Sequence, residues 1–412
     1  MKVLLVTHYF PPEIGAPQAR LSEFARAWAE EGHDVTVLTG MPNHPTGVVP
    51  DAYRGARLRR ERVDGYRILR TWLYATPNEG FVRKILGHLS FMLSAVLLGT
   101  SRVGRQDVVV ASSPTFFSLF SAWFIARVKR AKFVVEVRDL WPAIFVELGV
   151  LTNPLLIRLL ERLELAVYRA ADQIVLVSEG FRTSLIERGV PAGKLSVIRN
   201  GVDLERFRTD TPREDEVRTR LGATSPEDVM VLYLGAHGIS HGLTAVADAA
   251  AKLQDLTHIR FAFVGEGAAK PELQARIGEL GLDNVVTLPG VPREEVPGLL
   301  AAADICLAPL RDVPLFSTFI PSKIFEYLGA GRAVIGALRG EPARILQQAG
   351  AVVVEPEQPE LLADAIRQLA EDPERRAAMG AEGRQHVEAE FDRRQLAAQY
   401  TVIFDTIMEQ PT

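Results

Sequence analysis

The chain has 412 residues, 47% hydrophobic and 24% charged, an ordinary globular balance with enough core for two or three domains. A net charge of -4 and a pI near 6.1, with no long run of like charge, exclude a general attraction to nucleic acid. The only cysteine, Cys306, excludes internal disulfides and cysteine-based metal sites; in its apolar "DICLAPL" run it reads as a buried strand residue of a protein kept in a reducing compartment.

The N-terminus enters the strand-like run "KVLLVT" without the charged start and apolar core of a signal peptide, so a cytoplasmic location is expected. A loop follows, then a helix with Leu21, Phe24, Ala25 and Trp28 on one face, then "DVTVLTG". That is a βαβ unit. Residues 81–105, "FVRKILGHLSFMLSAVLLGTSRVGR", are too short and too interrupted by His88 and glycines for a spanning helix. With the later "FFSLFSAWFIARVKR" they admit two readings: helices buried on the first sheet, or interfacial helices with Arg83, Lys84, Arg102, Arg105, Arg127, Lys129 and Arg130 at their ends.

Further apolar runs, "DVVVAS", "KFVVEV", "QIVLVS" and "LSVI", alternate with helical stretches such as Leu155 to Arg169 and imply a parallel sheet covered on both faces. A polar stretch, "NGVDLERFRTDTPREDE", reads as a linker. A second alternation follows in "VMVLYLG", "IRFAFVG", "NVVTLPG", "DICLAPL", "RAVIGAL" and "AVVVEP". The expectation is two doubly wound α/β domains facing across a cleft, with ligands beyond the carboxyl ends of the strands.

Three loops of the second half lead from a strand into a helix in a manner suited to phosphate: "YLGAHGISHG", "VGEGAAK" and "IPSKIFE". None matches GxxxxGK[ST] or GxGxxG, and each alone is ordinary turn chemistry, so the argument rests on their convergence. No Asp-x-Asp pair occurs, and His237 and His241 lack the glutamate of an HExxH helix, so no metal and no cofactor is expected. In "FIPSKIFEYLGAG", Ile324, Phe325 and Leu328 face a core, which leaves Glu326 either a solvated helix residue or a ligand contact.

Taken together, "VIRNGVD", "VGEG", "SKIFEYLGAGRAVI" and "EPEQPELLADAIRQLAEDPERRAAMG" resemble the retaining family 4 glycosyltransferases of GT-B fold, over essentially the whole chain. "THYFPPEIGAPQAR", "EVRDLWP" and "GAHGISHGL" resemble the WbuB-like subgroup, associated with amino-sugar transfer in bacterial surface polysaccharide assembly. The resemblance implies a UDP-linked sugar donor, a glycan or lipid-linked acceptor, and work at the inner face of the cell membrane. It implies an acceptor-binding domain over 1–203, joined by a closing helix over 392–412, and a donor-binding domain over 204–391. Glu326 would bind the ribose hydroxyls, Ser322 and Lys323 would lie beside the diphosphate with Pro321, and Gly265 and Glu266 would border the donor. Val291 and Arg293 belong to a turn that would hold the base. In the first domain Gly15 would approach the donor or acceptor, Glu13 and Arg20 the acceptor, and Arg138 and Asp139 the reaction centre, with Lys323 sharing the catalytic work.

The chain also departs from the family. Eight residues before Glu326, where many members carry a second glutamate, stands Thr318. The frequent His-Asp of the first domain reads Arg138-Asp139, and His237 and His241 stand in for an Arg and Lys after the first strand of the second. A retaining transfer without that glutamate points to front-face attack through an oxocarbenium-like state, with Lys323, Ser322 and Arg138 or the histidines holding the leaving diphosphate. Two alternatives share the fold: a sugar-nucleotide 2-epimerase and a non-catalytic nucleotide-sugar-binding partner.

Overall fold

The structure, a computed structural model, describes all residues except 45, 78–80, 114, 148, 150, 411 and 412, and for Phe81 and Val82 only the backbone. The last two residues of the expected closing helix therefore lie outside the described residues. The chain forms two compact units, Met1–Arg199 with the segment from Arg393 onward, and Asn200–Asp392.

The first unit carries an eight-stranded sheet of β1 (Lys2–Val6), β2 (Asp34–Gly40), β3 (Leu58–Val63), β4 (Tyr66–Thr71), β5 (Val108–Ser112), β6 (Lys132–Val137), β7 (Gln173–Leu176) and β8 (Leu195–Val197). The spatial order is β3-β4-β2-β1-β5-β6-β7-β8. The central strands are buried on both faces, as their unbroken valine and leucine runs require. One departure from a purely parallel sheet is β3, antiparallel to β4. The pair is joined through Asp64 and Gly65, both at positive φ, as in the tight Asp-Gly hairpin turn.

The second unit carries β9 (Val229–Leu234), β10 (Ile259–Val264), β11 (Val285–Leu288), β12 (Ile305–Pro309), β13 (Ala333–Ala337) and β14 (Val352–Val354), all parallel, in the order β11-β10-β9-β12-β13-β14. This is the doubly wound Rossmann order, with its reversal between β9 and β12. Cys306 lies buried on β12, and burial pushes its thiol up to about 12.

The closing helix, Arg393–Glu409, packs in the first unit on the helix Ala16–Glu30. Tyr400 meets Phe24 at 5.1 Å and Phe404 meets Trp28 at 5.3 Å between ring centroids, while Trp28 Nε1 donates to the Ala397 carbonyl at 3.2 Å. Such ring pairs contribute about 0.5–1.5 kcal/mol each beyond their buried area. Phe391 packs instead in the second unit, 4.7 Å from the Phe325 ring. It precedes the helix, and its carbonyl accepts from Val202 N at 2.9 Å. Among the described residues no helix is long and apolar enough to cross a membrane.

Candidate functional site

In the second unit the loops after β9, β10, β11 and β12 gather at the carboxyl edge of the sheet. Gly235 and Gly265 leave β9 and β10 at φ +137° and +151°, which favour glycine. A Cβ on Gly265 would lie 1.9 Å from the Gly235 carbonyl oxygen. The closeness lets the two loops lace together: His237 N donates to the Glu266 carbonyl at 2.8 Å and Ala269 N to the His237 carbonyl at 2.9 Å. Lys270 Nζ then donates to the carbonyls of Gly265 (2.9 Å) and Leu288 (3.1 Å) and pairs with the exposed Glu266 at 2.8 Å. The Glu266 carboxylate is held below the usual range, first by Lys270 and also by the backbone N–H of Gly290, which ties in the turn bearing Val291 and Arg293.

The helix Lys323–Gly329 is clamped onto this edge by Tyr327, whose hydroxyl donates to the Leu234 carbonyl and accepts from Leu234 N, both at 2.9 Å. Lys323 Nζ consequently sits 3.6 Å from the centroid of the Tyr233 ring, buried and without a hydrogen-bond acceptor. Burial holds its pKa well below the usual lysine range, against the pull of Glu326. His237 is fully buried and neither ring nitrogen has a hydrogen-bond partner. Burial, with Lys270 and Lys323 beside it, lowers its pKa to about 4. His241 Nδ1 lies 3.2 Å from the Pro309 carbonyl, which can only accept, so this nitrogen carries the proton; burial and Lys323 lower the pKa to about 3.

At neutral pH both imidazoles are therefore uncharged in the unliganded protein. One lysine amino group and two neutral imidazoles cluster around Tyr233, and buried polar groups of this kind ordinarily have partners. Around them, Pro321 is buried, Ser322 is half-buried, and the Thr318 hydroxyl donates to the Leu315 carbonyl at 2.9 Å, which leaves its lone pairs as acceptors. Glu326, also half-buried, lies 3.4 Å from Arg293 Nη1.

In the first unit the loop after β1 carries Glu13, Gly15 and Arg20. The Glu13 carboxylate accepts from the backbone N–H groups of Phe10 (2.9 Å), Asn43 and His44 (both 2.8 Å), tying this loop to the one after β2. Burial raises its pKa while those three donors oppose the rise. Arg20 is buried; its Nε donates to Glu136 Oε1 at 2.9 Å and its two terminal nitrogens to the carbonyls of Arg199 (2.7 Å) and Ile198 (3.0 Å). Glu13 and Arg20, expected beside the acceptor, direct these polar atoms into the fold. Gly15 precedes the helix Ala16–Glu30, and a Cβ there would meet Gln18 Oε1 at 2.4 Å.

Arg138 and Asp139 follow β6 and are half-buried. Arg138 Nε donates to Ser112 Oγ at 2.9 Å and lies 3.5 Å from Glu136 Oε2, while its backbone N–H donates to Ser113 Oγ at 3.0 Å. Burial pushes the Asp139 carboxyl up, against the pull of Arg138. Behind them Glu136 also accepts from Ser112 Oγ (2.6 Å) and Tyr400 Oη (2.5 Å). Burial alone would raise the Glu136 pKa, but Arg20, Arg138 and the two hydroxyls hold it at about 2. Sequence reasoning missed Glu136, Tyr400, Tyr233 and Tyr327. A carboxylate inside the apolar "KFVVEV" was the available signal for the first; the tyrosines carried no signal of their own.

Residues 15–201 match the family described as "Glycosyl transferase 4-like domain", and residues 228–372 match "Glycosyl transferases group 1". The chain is 26% identical, over 97% of its length and 98% of the relative's, to the putative colanic acid biosynthesis glycosyl transferase WcaI of Escherichia coli K12. It is 27% identical, over 96% of both chains, to the GDP-mannose-dependent alpha-(1-6)-phosphatidylinositol monomannoside mannosyltransferase of Mycobacterium tuberculosis. Among solved structures, Anabaena Alr3699/HepE in complex with UDP-glucose superposes with a TM-score of 0.73 at 18% identity, covering 98% of this chain and 100% of that one, which supports the fold, GT-B. With the two family matches together covering residues 15–201 and 228–372, the chain belongs to the GT4-type glycosyltransferases.

Proposed function

We propose that the chain is a retaining, metal-independent transferase of the WbuB-like subgroup that moves an N-acetylated amino sugar from a UDP-sugar to a glycan or lipid-linked glycan acceptor in bacterial surface polysaccharide synthesis. The second unit holds the donor and the first receives the acceptor. The observation that carries this reading is the buried Lys323 amino group, without a hydrogen-bond acceptor and flanked by two neutral imidazoles at the edge where a doubly wound sheet binds nucleotides. A diphosphate supplies the missing acceptors and restores the lysine's charge. Glu326 accepts the ribose hydroxyls, Val291 and Arg293 border the base, Gly265 and Glu266 the phosphates, and Thr318 a sugar hydroxyl.

As the anomeric bond to the diphosphate breaks, negative charge grows on the leaving oxygen, and Lys323 and Ser322 stabilise it there. With Thr318 where relatives carry a glutamate, the acceptor attacks from the face the diphosphate leaves, and the departing oxygen takes its proton. Arg138 and Asp139 border the acceptor hydroxyl, Arg138 being fixed by Ser112 and Glu136. The WcaI relative supports polysaccharide synthesis, and the UDP-glucose complex of the structural neighbour supports a UDP donor. The mycobacterial relative uses GDP-mannose, so both bases belong in the test.

Calorimetric titration with UDP in excess EDTA tests the donor site. Binding that survives EDTA and falls at least tenfold in Lys323→Met supports the assignment; EDTA-sensitive binding, or binding indifferent to the substitution, contradicts it. We also propose that the first unit touches the membrane peripherally through residues 81–130, where Leu93, Leu97, Trp123, Phe124 and Val128 are exposed among basic residues. Co-sedimentation with anionic but not zwitterionic vesicles is the expected result, and no co-sedimentation with either contradicts it.

A further inference from the structure

The first unit holds a recess that the loops described so far do not use. Residues 48–57 after β2, the chain just past β4 at Trp72 and Leu73, and the helix Phe81–Ser94 with its continuation Ala95–Gly99 line a cavity of about 780 Å³. Small-molecule sites occupy about 300–1,000 Å³. Its apolar lining includes Met41, Val49, Leu73, Leu93, Leu97 and Leu98; its charged lining residues are Arg54 and Arg57, with no carboxylate.

Local chemistry holds the helix beside the chain that follows β4. The helix is fastened to the chain after β4 by hydroxyls: Ser90 Oγ accepts from Tyr74 N at 2.7 Å, and Ser94 Oγ donates to Thr71 Oγ1 at 3.0 Å. Gly87 permits the approach, since a Cβ there would lie 3.0 Å from the Tyr74 carbonyl. Trp72, Leu93 and Leu97 are left 47%, 56% and 72% exposed on the cavity lining, and a cluster of large exposed apolar groups marks an interaction site. The charge of the lining residues has one sign. Residues 81–106 contain Arg83, Lys84, Arg102 and Arg105 and no acid, and the cavity's Arg57 is exposed; Arg54 is also exposed and pairs with Asp51 at 2.8 Å. The same helix reaches the loop after β1, where the His88 and Phe91 rings lie 4.4 and 5.0 Å from that of His8. The cavity and the acceptor-side loop thus share one helix as a wall.

We infer that this cavity takes the hydrocarbon chain of an anionic amphiphile, with Arg54 and Arg57 against its phosphate, and that it seats the lipid of a lipid-linked acceptor. Only the word acceptor rests on the transferase reading; the amphiphile site rests on the cavity itself.

Equilibrium binding of farnesyl phosphate, below its micelle concentration, to the full chain tests the inference. Ala56→Trp fills the cavity and Leu97→Glu places a charge on an exposed position of its lining; each is expected to weaken farnesyl phosphate binding at least tenfold, and Arg57→Ala at least threefold. Val402→Glu, on an exposed position of the closing helix, leaves it unchanged. Farnesol, with the same chain and no charge, is expected to bind at least fivefold more weakly. Unchanged binding in both Ala56→Trp and Leu97→Glu overturns the cavity as the site, and equal affinity for farnesol overturns the phosphate contact. Failure of the transferase reading looks different: no turnover of any nucleotide-sugar, with farnesyl phosphate binding intact and still lost in the cavity variants.

Discussion

Lys323 sets a conflict between stability and binding. A buried donor left without an acceptor costs about 1–3 kcal/mol, so Lys323→Met is expected to stabilise the unliganded protein by about that much while abolishing most UDP affinity. Thermal melts with and without UDP check both signs at once. Glu326→Gln is expected to weaken UDP binding by roughly 1–3 kcal/mol, the range for hydrogen bonds to a charged group. Stability should change by less than about 1 kcal/mol, because its ion pair with Arg293 is half-exposed. Calorimetric titration of the folded variant checks this, and unaltered UDP affinity would return Glu326 to the role of a solvated helix residue. Thr318→Ala is expected to weaken the sugar-nucleotide and not UDP alone. The helix around Glu326 was legible from its apolar spacing. The lysine's seat on Tyr233 was not, because the ring comes from β9, far away in sequence, and only the Tyr327 clamp on Leu234 brings the two together.

Among elements, the closing helix does more than cover apolar surface. Its Tyr400 hydroxyl reaches Glu136, which orients Arg138 after β6. Tyr400→Phe removes one donor from a buried carboxylate and is expected to cost about 1–3 kcal/mol at pH 7. The sign with pH follows from the depressed pKa: Glu136 contributes stability that is complete above about 4.5 and lost as pH falls toward about 2. The gap between wild type and Tyr400→Phe should therefore narrow between pH 4.5 and pH 2, which melts across that range would show. The helix itself was legible from the spacing of Leu396, Tyr400 and Phe404, but the passage from one unit to the other just after Phe391 was not, since periodicity does not mark it. The β3–β4 hairpin escaped notice although Asp64-Gly65 is a strong turn signal, because β3, "LRRERV", is a polar edge strand without the apolar run that betrayed the others.

For the molecule as a whole, the order of apolar runs made both sheets legible; loop geometry was not, because it depends on contacts such as Gly265 against Gly235 that no spacing encodes. Burial also keeps several histidines neutral: His8 well below its usual value, His88 and His237 at about 4, His241 at about 3. These groups bind protons more readily when unfolded, so the stability they contribute is complete above about pH 6.5 and falls as pH drops toward 4 and below. Denaturant titrations at pH 7.5 and 5 are expected to show lower stability at pH 5. The central claim is that this chain transfers a sugar from a nucleotide-sugar to an acceptor. Its most direct test is release of free nucleotide from a panel of UDP- and GDP-sugars, in EDTA, with and without lipid-linked acceptors. Acceptor-dependent UDP release from a UDP-N-acetylated amino sugar is expected, with a product that keeps the donor's anomeric configuration. Sugar-nucleotide epimerised without acceptor, or donor bound and never turned over, would contradict it.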